Sequence, residues 1–283
     1  MFAIFLILLL LSYIIFYMTQ SPLIYIILIL ISIVHPLISF FYGDKIVLRM
    51  VGAKEADPIK DVYIHNVVEG MVLAAGLPAK PKVYIIDDPT PNAFATGRDP
   101  KHASIALTSG IIQLLNRQEL EAVIAHEMSH IKNYDSLFMT VTVVLIGIIS
   151  LMAQMILRTK MIFGGNQRER KSSTTGILAI LIILAALLSP IIARLIALAI
   201  SRKREYLADS TAAQLTRNPA ALASALEKVK NAPKTENDYG VARALFFSDP
   251  EKYDSQPKLD EQIANLFSTH PPIDERIKIL RSM

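Results

Sequence analysis

Glu121-Ala122-Val123-Ile124-Ala125-His126-Glu127-Met128-Ser129-His130, with an apolar run opening at Leu137, places a His-Glu-x-x-His pattern next to a stretch that reads as membrane. On a helix, residues four apart stand one turn above each other on one face, so His126 and His130 can both offer imidazole nitrogens to a single metal ion. Glu127 then lies beside them as a candidate base. The pattern fixes only three positions, and a hydrogen-bonded histidine pair on a half-buried helix also satisfies it. The rest of the chain has to decide.

A tetrahedral catalytic zinc takes three protein ligands and keeps its fourth position for water, so another His, Asp or Glu is needed. Ser201-Arg202-Lys203-Arg204-Glu205-Tyr206-Leu207-Ala208-Asp209 supplies candidates. Glu205 and Asp209 are again a helical turn apart, which lets Glu205 bind metal while Asp209 hydrogen-bonds a ligand imidazole from behind. The competing reading of Glu205 is an ordinary ion pair with Arg202 or Arg204. Two imidazoles and a carboxylate with an open position suit Zn²⁺, one per chain, although iron and manganese accept similar ligands.

With these residues in view, the chain resembles the HtpX-type membrane metalloproteases, relatives of the CAAX prenyl endoprotease. The matching pieces are Asn92-Ala93-Phe94-Ala95-Thr96-Gly97, Glu119 to His130, Ser201 to Asp209, and Thr269-His270-Pro271-Pro272-Ile273-Asp274-Glu275-Arg276, in that order. The resemblance implies a mainly α fold with a small β-sheet, a membrane-anchored zincin (gluzincin-like) catalytic domain, and two transmembrane hairpins. It implies that His126, His130 and Glu205 hold zinc, that Glu127 is the base, and that His270 and Arg276 stabilise the oxyanion of the tetrahedral intermediate. By spacing alone, His270, which precedes two prolines, reads as a structural residue on a rigid turn or helix entrance. It further implies quality control of damaged or misassembled membrane proteins, under heat or envelope stress.

Composition agrees with an integral membrane protein, since 52% of the residues are hydrophobic and the mean hydropathy is +0.40. The absence of cysteine rules out disulfides, thiolate ligands and a cysteine nucleophile. A net charge of only +4, without a basic tail or interleaved aromatics, argues against nucleic acid as a partner. Four apolar runs stand out: Phe2 to Met18, Leu23 to Phe41, Leu137 to Leu157 and Ile177 to Ile200. The first lacks a preceding basic residue and a cleavage site, so it reads as a retained anchor. The runs divide the chain into an N-terminal transmembrane hairpin (1–41), a first catalytic part with the zinc-binding helix (42–136), a second membrane hairpin (137–200) and a second catalytic part with the third ligand (201–283).

Basic residues near the run ends set orientation. Lys45, Arg49, Lys54, Lys60, Lys132, Arg202, Lys203 and Arg204 place both catalytic parts in the cytoplasm, under a multi-pass protein of the plasma (inner) membrane. Arg158, Lys160, Arg168, Arg170 and Lys171 in the second outer loop oppose this, so a re-entrant or surface hairpin remains open for 137–200. Either version brings the chain back to the face it left. At 1.5 Å per residue, His130 and Glu205 stand only ~10 Å and ~8 Å from the apolar runs, which puts the metal near the bilayer and favours membrane-protein or peptide substrates.

In the soluble part the pattern predicts a helix from Pro58 to Ala75, strands at Val83–Ile86, Ala93–Thr96 and Ser104–Leu107, the active helix from Arg117 to Asn133, and a helix from Pro219 to Val229. The strand with Asn92, Ala93, Phe94 and Ala95 is the expected substrate-aligning edge, to which a peptide adds by main-chain hydrogen bonds; a plain core strand is the alternative. Residues 231–261 read as a polar surface loop. His35, His65 and His102 carry no ligand spacing. The competing functions are a processing protease for prenylated C-terminal peptides and a non-catalytic membrane scaffold or holdase.

Overall fold

The computed structural model describes residues 22–144, 202–233 and 271–283 continuously, with Leu9, Tyr13, Phe16, Tyr17, Gln20, Tyr239, Ala242 and Leu245, Phe246 and Phe247 besides. Most of the first and third apolar runs, the whole of the fourth, and His270 lie outside these residues. The chain divides into two compact units, and everything below about the site concerns the one formed by residues 43–143 and 198–283.

Helix α1 (Pro22–Met50) contains the second apolar run, with Pro36 inside it. It exposes large apolar side chains along its length, among them Leu23, Ile26, Leu30, Val34 and Phe41. Among the described residues no helix is long and apolar enough to cross a membrane. Beyond α1 come β1 (Lys54–Glu55), α2 (Val62–Ala75), β2 (Lys82–Ile86), β3 (Ala93–Asp99), β4 (His102–Thr108), α3 (Ser109–Leu114) and α4 (Arg117–Lys132). Beyond residue 201 follow α5 (Arg202–Thr216), α6 (Pro219–Asn231) and α7 (Ile273–Arg281). The described chain is thus mainly helical with one small mixed sheet.

The sheet runs β1-β2-β4-β3, with β2 and β4 parallel and the outer pairs antiparallel, so β3 is an edge. Its residues Ala93 to Gly97 are all buried, which is why it lacks the alternation of a half-exposed strand. Thr108 locks the far end of the β3–β4 hairpin: its Oγ1 accepts from Asn92 N–H at 2.8 Å and donates to Asn92 O at 3.1 Å. The same oxygen accepts from Ile111 N–H and caps α3.

Helix α4 begins with a reciprocal cap, in which Asn116 Oδ1 accepts from Glu119 N–H and Glu119 Oε2 from Asn116 N–H, satisfying two of the donors that a helix start leaves open. Nearly every residue from Glu119 to Ile131 is buried, because β3, α2, α5 and α6 pack around it. The expected helix from Pro58 starts instead at Val62. Asp57 explains the difference: its Oδ1 accepts from Ile59 and Lys60 N–H at 2.8 and 3.0 Å, a side-chain turn that competes with helix.

Candidate metal centre

Two helices meet at the site. Helix α4 presents His126 and His130 from successive turns, and α5 presents Glu205 from its first turn. The two Nε2 atoms lie 3.2 Å apart. Glu205 Oε2 is 3.8 Å from His126 Nε2 and its Oε1 is 3.5 Å from His130 Nε2. Ligand atoms on a tetrahedral zinc, at about 2.0–2.1 Å from the metal, are separated by about 3.3 Å. The donor atoms therefore already stand at chelating separations, and the residues fit the metal.

Each imidazole has a carboxylate at its other nitrogen, which leaves Nε2 as the atom turned to the cluster. Asp209 Oδ1 is 3.0 Å from His126 Nδ1, in contact with it but without the alignment of a well-formed hydrogen bond. Asp135 Oδ2 is 3.2 Å from His130 Nδ1. Both carboxylates are themselves held by arginine. Arg204 Nη1 donates to Asp135 Oδ1 at 2.5 Å. Arg276 donates from Nε and Nη2 to both Asp209 oxygens at 2.8 and 2.7 Å, a bidentate fork. Arg204 is thus directed to Asp135, while buried Glu205 faces the histidines and Arg276 Nη1, 3.7 Å away.

Burial would lower the affinity of both histidines for a proton. For His126 burial prevails over the pull of Asp209 and its pKa drops to about 4. For His130 the bond to Asp135 and the charges of Glu205 and Glu127 outweigh burial and raise it to about 9. Burial would raise Asp209, but the Arg276 charge and hydrogen bonds hold it far below the usual carboxylate range. Glu127 is buried, and its negative charge acts on both His130 and Arg276.

The structure gathers His126, Glu127, His130, Glu205, Asp209 and Arg276 in one region; His270 lies outside the described residues. Arg276 is fully buried and reaches the cluster through Asp209 and Glu205. Asn92 turns its side chain onto its own strand, with Oδ1 accepting from Ala93 N–H at 3.0 Å. Ala93 O accepts from Phe247 N–H at 2.7 Å, and the Phe94 ring packs against Phe246. His65 faces Ala56 O and His102 pairs with Asp99, both away from the metal centre.

Two residues of the site escape a reading of the sequence. Asp135 is five positions beyond His130, out of helical phase, and returns to it because the helix breaks at Tyr134, whose φ is +60°. Phe247 comes from a polar stretch with no periodic signal, yet its ring lies edge-on to His126 at 5.1 Å between centroids.

A mainly helical fold that carries two imidazoles and a carboxylate on adjacent helices, with a glutamate beside them, defines the metalloprotease class. The sequence pattern of peptidase family M48 matches residues 58–283. A protease HtpX homolog of Caldanaerobacter subterraneus subsp. tengcongensis is 48% identical over 249 residues, covering 87% of this chain and 80% of the relative. The protease HtpX homolog of Thermoanaerobacter pseudethanolicus is 46% identical over 249 residues, with the same coverage of 87% and 80%. The chain belongs to peptidase family M48. In fold it is similar to the crystal structure of S. mikatae Ste24p, with a TM-score of 0.52 and 18% identity. That likeness covers 96% of this chain, which spans 62% of the Ste24p chain.

Proposed function

We propose that this protease is a zinc-dependent endopeptidase of the plasma (inner) membrane, with its site toward the cytoplasm, acting on damaged or misfolded membrane proteins. The observation that carries the zinc reading is the convergence of His126 Nε2, His130 Nε2 and the Glu205 carboxylate within 4.8 Å of one another. Bound there, zinc would polarise the scissile carbonyl and lower the pKa of a water. Asp135 and Asp209 fix the two imidazoles, and Arg276 holds Asp209 and offsets the charge of Glu205. Glu127 takes the proton of the attacking water and returns it to the departing amine. Arg276 and His270 are the candidates for stabilising the oxyanion.

Support for the membrane setting comes from the four apolar runs and from the apolar side chains that α1 exposes. Support for substrates at the bilayer comes from the short distance in sequence between the ligands and these runs. Zinc itself is tested by stripping the purified protein with chelator and adding back single metals. Zinc is expected to restore peptide cleavage; restoration by iron alone would overturn the assignment.

A further inference from the structure

We propose that Leu245, Phe246 and Phe247, steadied by Tyr239, occupy the substrate groove of this same chain, with Phe247 at the place where a peptide substrate presents a large apolar residue. The inference rests on the protease reading above and names what that site binds. Strand β3 is the sheet edge, and Asn92 O accepts from Thr108 N–H. Asn92 therefore turns its main-chain groups toward β4, and by strand alternation those of Ala93 point outward. Phe247 N–H donates to this outward Ala93 O at 2.7 Å, the bond that an added peptide strand makes.

The same residue reaches the chemistry. Its ring lies edge-on to His126 at 5.1 Å, and the Arg276 guanidinium stands 5.0 Å from its centroid. Arg276 Nη1 is 3.5 Å from Phe247 O, so the carbonyl of the occupant faces the group proposed to meet a substrate carbonyl. Further contacts hold the segment down: Phe246 packs on Phe94 and on Tyr239, with centroids 5.2 and 5.0 Å apart, and the Tyr239 hydroxyl donates to the Asp88 carboxylate. Phe246 and Phe247 are each 1% exposed and His126 is 1% exposed. A substrate that adds to the β3 edge at Ala93 displaces Phe247, and its apparent affinity falls in proportion to the fraction of molecules in which Phe247 has left.

The test uses full-length protein in detergent carrying Glu127→Gln to stop turnover. A fluorescent extended peptide with a central Phe is titrated by anisotropy, alone and with Phe247→Ala or Tyr239→Phe added. Both additions are expected to tighten binding by about tenfold, and saturating peptide is expected to speed hydrogen exchange at residues 245–247. Unchanged or weaker binding in both variants, or bound peptide with exchange at 245–247 still slow, would make Phe247 a fixed wall and overturn the proposal. Tyr239→Phe removes one hydroxyl only, so the test survives a folding failure of Phe247→Ala. Peptide that binds but is never cleaved by protein retaining Glu127 would overturn the protease reading and leave this one standing.

Discussion

Asp135 and Asp209 stand behind one imidazole each, and both are supported by a guanidinium, so His126 and His130 are oriented by a chain of charges. Asp135→Asn is expected to weaken zinc binding about 10–100-fold while leaving the protein folded. Competition with a chromophoric chelator measures this, and wild-type affinity would deny Asp135 its orienting role. Glu119 shows the opposite use of a buried carboxylate, for stability alone. Burial would raise its pKa, but Lys228, Ser224 and the Asn116 N–H outweigh that and lower it. A lowered folded-state pKa means that the stabilisation is present above the unfolded value of about 4.3 and is lost as pH falls through the lower, folded one. Acid unfolding of Glu119→Gln is therefore expected to depend less steeply on pH below about 4.3 than that of wild type; parallel curves would contradict the assignment. His126, Glu127, His130, Glu205 and Asp209 could be picked out in the sequence because each lies at helical spacing from another. Asp135 could not, since a left-handed Tyr134 rather than a periodic helix carries it to His130.

At the scale of elements, α4 was legible because His126 and His130 stand one helical turn apart within it. Strands β2 to β4 were found with their ends within a few residues, whereas β1 has only two residues and α3 only six, too short to leave a pattern. Their places are set by tertiary pairing, β1 on β2 and the α3 start on Thr108. Strand β3 depends on a feature that composition does not weigh. Gly97 has φ +137°, and a Cβ there would lie 2.3 Å from His102 O. Gly97→Ala is expected to cost about 1–3 kcal/mol or more, because backbone rather than a side chain stands in the way. Chemical denaturation in detergent checks it, and a variant as stable as wild type would show that the hairpin bends elsewhere.

For the whole molecule, the sequence divides more readily than it assembles. Apolar runs announce themselves one by one, but the meeting of Glu205 with α4 is a long-range event, inferred from the chemistry that zinc requires. The grip of Phe247 on Ala93 and His126 had no such chemical demand behind it and no period. The proposed multi-pass topology is tested with a single cysteine at Gly165, in a chain that otherwise has none. Full spanning predicts labelling from outside intact cells by a membrane-impermeant thiol reagent. Labelling only after the cells are opened would favour a re-entrant hairpin.

The central claim is that His126, His130 and Glu205 hold a zinc ion beside which Glu127 moves the proton. Its most direct test compares detergent-purified wild type with Glu127→Gln for zinc content and for cleavage of an unfolded reporter. Equal zinc in both is expected, with a loss of cleavage of about 10²–10⁴-fold in the variant. Equal zinc with equal cleavage would remove Glu127 from the mechanism, and wild type that cleaves without zinc would contradict the site itself.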